Sequence, residues 1–267
     1  AALPALRGIV KQCFIADEQW DGAEVQSDPH YEGHYYRQLA DSITVERAEV
    51  MTTIPPSHRA VNFKDPNDRA LMMTTAEGYE KLRAALPHAA GSLAAEAVGP
   101  LGPRPASGEN FYVDGLTQWE LCVGDVFVVD GSPTVLEVAS PRRPCDKWNK
   151  VHNMGAHPDS GVHGNVRHYA LTHTLGGVYF RIIRGGEISV GSTLTLVQRV
   201  HPEWPLSRVG RLFYSQATVA PQGGLAEQRG ECFCGTDEEM IELLSLDKLA
   251  WYEWRQCLEA RTIDQGI

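Results

Sequence analysis

No apolar run in this chain approaches the roughly 18 residues that a membrane-spanning helix needs, and no signal-peptide core precedes residue 30. Cysteine is scarce: the six at 13, 122, 145, 232, 234 and 257 are too few in 267 residues for a secreted disulfide scaffold. Basic residues are outnumbered, 24 Lys and Arg against 34 Asp and Glu, for a net charge of −10. That balance argues against broad binding to a nucleic acid polymer or an anionic membrane. No Gly-x-Gly-x-x-Gly fingerprint and no iron–sulfur cysteine set is present, so the chain offers no electron source of its own. A reducing, intracellular, cytoplasmic setting is expected, and the start at Ala1 leaves a removed leader open.

The chain is long enough to bury a sizeable core without staples. Its most informative stretch is Ser140-Pro141-Arg142-Arg143-Pro144-Cys145-Asp146-Lys147-Trp148-Asn149. Cations on both sides of Cys145 favour thiolate over thiol and pull the pKa below the free value of about 8.5. Pro141 and Pro144 fix two φ angles and exclude helix. The segment reads as a stiff loop carrying a nucleophile or a soft-metal ligand beside an anion-binding cluster. The alternative is a half-buried loop cysteine among solvated charges.

Period-2 patterning marks strands at Gly8–Ile15, Ile43–Met51, Ala70–Thr74, Val126–Val129, Thr134–Val138, Gly177–Ile183 and Thr193–Val197. Asp130-Gly131-Ser132-Pro133 predicts one hairpin, and Arg184-Gly185-Gly186-Glu187 predicts another, leading into Ile188–Val190 and Thr193–Val197. Residues 17–42 and 216–235 read as loops. A stripe of Tyr79, Leu82 and Leu86 predicts a helix over Glu77–Leu86, and Val166–Thr174 is the most helical piece of a His-rich segment. Beyond residue 200 the period changes. Ser207 is expected to cap a helix burying Val209, Leu212 and Phe213. Thr236-Asp237-Glu238-Glu239 is a capping box, and Asp247 is expected to cap a last helix with Leu249, Ala250, Trp254, Cys257 and Leu258 inside. The expected architecture is mainly β: a closed β-barrel over residues 1–200, followed by a small three-helix domain over 201–267.

Several segments, in this order, resemble the MOSC family, and most closely its YiiM-type members. They are Asp68-Arg69-Ala70-Leu71, Gly108-Glu109-Asn110-Phe111, Asp114-Gly115-Leu116-Thr117, Val123-Gly124-Asp125-Val126-Phe127, the Cys145 segment, Gly177–Arg181 and Gly186-Glu187-Ile188. The resemblance covers roughly residues 59–262 and implies a barrel that binds the molybdenum cofactor, a molybdopterin. It further implies reduction of N-hydroxylated compounds such as hydroxylamino-purines, with electrons from a separate reductase. By that resemblance Cys145 is the molybdenum ligand. Asn62, Lys64, Arg69, Glu109, Asn110, Arg142, Arg143, Lys147 and Asn149 would line the cofactor pocket. Asn62 stands where the family usually has histidine, and the two glycines that follow in the family are replaced here.

Alternatives stay open at this level. Arginine's planar fork suits a cofactor phosphate but also a solvated surface. Glu109 and Asn110 suit a pterin edge or a stabilised turn. Lys147 and Asn149 share a face with Cys145 only if the segment is extended. Histidines 152, 157, 163, 168 and 173 have gaps of five or six residues, which fit neither a helical zinc pair nor a knuckle. Cys232-Phe233-Cys234 lacks a second pair, and Trp251, Tyr252 and Trp254 suit packing of helix on barrel. A non-enzymatic carrier of cofactor or of persulfide sulfur, and a metal-free thiol enzyme, are the rival functions. A homodimer is one option for the oligomeric state.

Overall fold

The structure, a computed structural model, describes residues 3–16, 37–45, 68–85, 107–144, 169–171, 173–214, 235–250 and 254–265. The first half supplies β1 (Arg7–Ala16), β2 (Arg37–Ala40), β3 (Ser42–Val45), β4 (Leu71–Thr75), α1 (Ala76–Ala85) and β5 (Phe111–Asp114). Then come β6 (Val126–Val129), β7 (Val135–Pro141), β8 (Val178–Arg184), β9 (Gly186–Ser189) and β10 (Thr193–Gln198). Three helices follow: α2 (Leu206–Tyr214), α3 (Asp237–Ser245) and α4 (Gln256–Gln265).

The strands close into a barrel in the order β10-β6-β7-β8-β4-β5-β1, with β10 pairing back to β1 and β2 continuing the sheet from β1. Closure runs through β1, which pairs β10 at Arg7–Ile9 and β5 at Ile9–Cys13. Alternation sets which side chains point inward. In β8, Val178, Phe180 and Ile182 are buried, while Tyr179 and Arg181 lie outside. Phe180 meets Phe111 and Phe127 at ring-centroid distances of 6.1 and 6.2 Å, which fills the barrel.

One parallel pair interrupts the antiparallel pattern. β4 runs parallel to β5, with α1 in the chain between them. α1 begins where Thr75 Oγ1 accepts from Gly78 N at 3.1 Å, an N-cap bond. Its buried Tyr79 and Leu82 cover the outer face of β4 and β5, which is why β4 is buried along its whole length. The helix matches the expected stripe, and Leu86 lies outside the described residues.

Two expectations need correction. Ile188–Val190 does not form a hairpin with Gly177–Ile183. Both edges of β8 are already taken, by β7 and β4, so β9 leaves the barrel and pairs with β3. The last helix does not start at Asp247. The amide of Ala250 donates to Ala139 O at 3.0 Å, and Lys248 O accepts from Arg181 at 2.7 Å, so these groups serve the barrel instead of a helix. α4 begins at Gln256. β2 is a further element, which the sequence reading had placed inside a loop.

The first hairpin and the capping box stand as read. Val126 pairs with Glu137 across β6 and β7. Thr236 Oγ1 accepts from Glu239 N, while the Glu239 carboxylate accepts from Thr236 N. Trp204, Val209, Phe213, Met240, Leu243 and Trp254 belong to the same buried cluster as the barrel interior. Among the described residues no helix is long and apolar enough to cross a membrane.

Candidate cofactor site

Cys145, Lys147, Asn149, Asn62 and Lys64 lie outside the described residues. So do the histidines at 152, 157, 163 and 168, the Cys232-Phe233-Cys234 run, and Trp251 with Tyr252. What the structure gives is the framework that leads to Cys145 and the remaining residues of the expected pocket.

That framework is the end of β7. Between Val138 and Ser140 the register against β8 shifts, so Ala139 bulges out of the ladder. Ser140 then lies opposite Tyr179, and Pro141 opposite Val178. The next amide, Arg142 N–H, donates to Gly177 O at 2.8 Å, and Arg142 Nη1 reaches Gly176 O at 3.4 Å. Gly176 has no room for a side chain. A Cβ there would collide with the carbonyl oxygen of Arg142 and lie 2.8 Å from the ring of Pro144. Gly177, with φ +106°, is equally close to Met72 and Met73 on β4. The two glycines thus let the Arg142–Pro144 turn press against the barrel wall. Arg142 and Pro144 are buried and Arg143 is half-buried.

Arg69 joins this face. Its guanidinium sits 5.2 Å from the Tyr179 ring centre, a cation–π contact. Tyr179 pairs with Ser140 on one side and with Met72 on the other, so Arg69 and Ser140 flank one aromatic ring. Ser140 Oγ is buried with no hydrogen-bond partner among the described residues.

Glu109 and Asn110 are buried at the start of β5. Glu109 Oε1 accepts from the Tyr79 hydroxyl and Oε2 from Ser107 N, both at 2.9 Å. Burial raises its carboxyl pKa, and the backbone and Tyr79 donors oppose that shift. Tyr79 itself is pushed well up by burial and by the adjacent carboxylate. Asn110 Oδ1 accepts from Met72 N at 2.9 Å, and Asn110 N donates to Met72 O at 2.8 Å. These two residues therefore fasten β5 to α1 and to β4.

Several contributors escaped the sequence reading. Arg181 donates from Nε to Asp68 Oδ1 at 2.6 Å and from Nη1 to Glu137 at 2.9 Å. It thereby ties the residue preceding Arg69 to β7 and, through Lys248 O, to the helical part. Gln118 donates to Thr174 O at 3.0 Å. Asp125, fully buried, takes a two-point grip from Arg199 and a bond from Cys122 N. The Val-Gly-Asp motif is thus a structural turn, and the Asp125 bond is the main cause that raises the Arg199 pKa. No spacing rule signals the Arg181, Gln118 and Arg199 pairs, because each joins residues far apart in the chain. The double glycine at 176–177 is the one local signal that was available.

Of the described thiols, Cys257 is half-buried and two lie in the core. Cys13 and Cys122 are buried, and burial pushes both up to about 12. His173 stacks on Tyr169 at 3.9 Å, and the described residues hold no group of His, Cys, Asp and Glu arranged for a metal ion.

Residues 58–195 match the MOSC domain model. The chain is 35% identical over 112 residues to YflK of Bacillus subtilis, covering 42% of this chain and 46% of that protein. It is 29% identical over 111 residues to a Gibberella moniliformis protein named "Reductase", covering 40% of this chain and 17% of that protein. The match thus spans less than half the length of either relative. Among solved structures, YiiM from Geobacillus stearothermophilus superposes with a TM-score of 0.61 at 16% identity, over 95% of this chain and 98% of that one. YiiM from Escherichia coli gives 0.58 at 21% identity, over 85% and 88%.

Proposed function

The chain belongs to the MOSC domain family, whose members are associated with molybdenum cofactor binding, and from that premise we propose that it is a molybdenum-cofactor-dependent reductase of N-hydroxylated compounds such as hydroxylamino-purines. The observation that carries the reading is the seating of Arg142–Pro144 against Gly176–Gly177. This holds the residues immediately before Cys145 beside the strand whose Tyr179 meets Arg69. The residues fit such a group chemically. Guanidinium forks at 69, 142 and 143 suit a phosphate. A thiolate is the soft ligand that a sulfur-rich metal centre takes. Ser140 Oγ, buried with no partner among the described residues, is a polar atom with room for a further hydrogen bond.

When bound, the cofactor supplies two-electron chemistry that accepts the oxygen of an N–OH group. In the net reaction the N–O bond breaks, and two electrons from a separate reductase and two protons leave an N–H compound and water. The chain's own residues hold and orient. Cys145 ligates the metal. Arg142 and Arg143 would neutralise and grip the phosphate, and Arg69, in cation–π contact with Tyr179, would add positive charge nearby. Asn62, Lys64, Lys147 and Asn149 are assigned to the rim of the same pocket. Glu109 and Asn110 set the position of the β4–β5 edge, because their carboxylate and amide oxygens are committed there. The relative named a reductase supports a redox role.

The test compares molybdenum and pterin content, and turnover of a hydroxylamino-purine with an artificial electron donor, in wild type and Cys145→Ala. We expect Cys145→Ala to lose turnover by about 100-fold or more and to retain less metal. Full activity in Cys145→Ala would overturn the assignment. Tightly held pterin with no turnover in wild type would favour a cofactor carrier. An added sulfur on Cys145, seen by mass, would favour a persulfide carrier.

A further inference from the structure

Residues 174–177 hold one strained residue and two tightly packed glycines. The helical piece before them closes in a Schellman arrangement: Leu175 N donates to Ala170 O at 2.8 Å and Thr174 N to Leu171 O at 3.3 Å. That motif puts its left-handed residue at Thr174, whose φ is +57°. The position usually belongs to glycine, and a β-branched side chain is strained there. Thr174 is also the only non-glycine with positive φ among the described residues.

Three contacts hold the strained residue and its successors. Gln118, 1% exposed, donates from Nε2 to Thr174 O at 3.0 Å. Gly210 on α2 lies so close that a Cβ would collide with Thr174 Oγ1. Two residues on, Gly176 and Gly177 press against Arg142, Pro144 and β4, and Gly177 O takes the Arg142 amide. Backbone strain of this kind persists only where the surroundings over-determine it, commonly beside functional sites.

We propose that Gln118, Thr174 and Gly210 are positioning residues: they hold a strained brace whose far end, Gly176–Gly177, seats Arg142–Pro144, the residues that lead into Cys145 in the chain. The role in cofactor holding rests on the reading of Cys145 given above. The brace ties α2 of the helical part, and the segment before β6, to the residues that precede Cys145. It explains why a helix interior accepts glycine at 210, where alanine would favour the helix more.

The experiment is hydrogen exchange on the full chain, resolved at the Arg142 amide, with molybdopterin retention measured on the same preparations. Gly210→Ala drives a methyl into Thr174 Oγ1. Thr174→Gly removes both that oxygen and the left-handed strain. We expect Gly210→Ala to speed Arg142 exchange by about tenfold and to lower pterin retention, with the β6 and β7 amides unchanged. The double variant Thr174→Gly, Gly210→Ala should return both readouts to within about twofold of wild type. Gln118→Ala should behave like Gly210→Ala. Wild-type exchange at Arg142 in Gly210→Ala would overturn the brace. So would equal speeding of the β6 and β7 amides, or faster Arg142 exchange with undiminished pterin. A wild type that holds no pterin would instead sink the cofactor reading, and the exchange result alone would then decide the brace.

Discussion

Cys13 and Cys122 define by contrast what makes Cys145 a candidate. All three are cysteines in one chain, yet two sit in the packed interior with the thiol pKa pushed up to about 12. The Cys13 thiol donates to the Ile188 carbonyl at 3.6 Å. At pH 8, iodoacetamide should therefore leave Cys13 and Cys122 unlabelled in the folded chain and modify both once it is unfolded, as read by peptide mass. Prompt native labelling of either would contradict the burial. The same shift sets a pH dependence. Below pH 8 these thiols keep their proton in both states and contribute nothing that varies. Between the ordinary value of 9.0 and about 12 the unfolded thiols ionise while the folded ones cannot. Stability then falls as pH rises, by at most about 1.4 kcal/mol per unit for each thiol. Denaturant melts at pH 8, 9.5 and 10.5 should show a midpoint flat at first and then declining. At this scale the sequence was informative about charge around Cys145, since neighbours in the chain are read directly. It left Glu109 between pterin contact and turn. Only the fold brings Tyr79 to that carboxylate.

Elements were legible where their signals are local. The capping box of α3 and the stripe of α1 depend on residues within one or two turns. The Asp130–Pro133 turn depends on residues whose φ values are set by their own chemistry, as at Gly131. The second hairpin and the start of the last helix were not legible, because distant groups decide them. β4, which lies over a hundred residues earlier, occupies the β8 edge that a hairpin partner would need. Ala139 and Arg181 take the polar groups that a helix from Asp247 would use. The local signals can be weighed in isolation. Thr236→Ala removes the oxygen that accepts from Glu239 N at 3.2 Å. It should cost about 1 kcal/mol, or roughly 2–4 °C in Tm for a chain of this size. No change in Tm would mean that water replaces the hydroxyl at this exposed cap without loss.

On the scale of the whole molecule, the change of period near residue 200 marks a change of architecture but not a gap in the core. Trp204 O accepts from Val123 N at 3.1 Å, and Leu206 N donates to Leu121 O at 2.7 Å, so the first turn beyond the barrel is hydrogen-bonded to it. Trp254 packs edge-on against Phe213 at 4.7 Å, and both belong to the buried cluster that includes Phe127 and Phe180. Arg181 on β8 is satisfied in part by Lys248 O, which lies beyond the boundary. Gly210 presses on Thr174, so the residues that precede Cys145 depend on α2 as well. A chain ending at Val200 would expose the apolar outer wall around Leu121, Val123 and Ala139 and leave part of the Arg181 cluster uncapped. Uncovered apolar surface and unmade buried bonds both act against the folded state. Such a chain should therefore bind a hydrophobic dye and lose near-ultraviolet circular dichroism, whereas the full chain should unfold in one transition. A cooperative melt in the truncated chain within a few degrees of the full one would show that the barrel stands alone. The helices would then be an appendage, with no part in seating Arg142–Pro144.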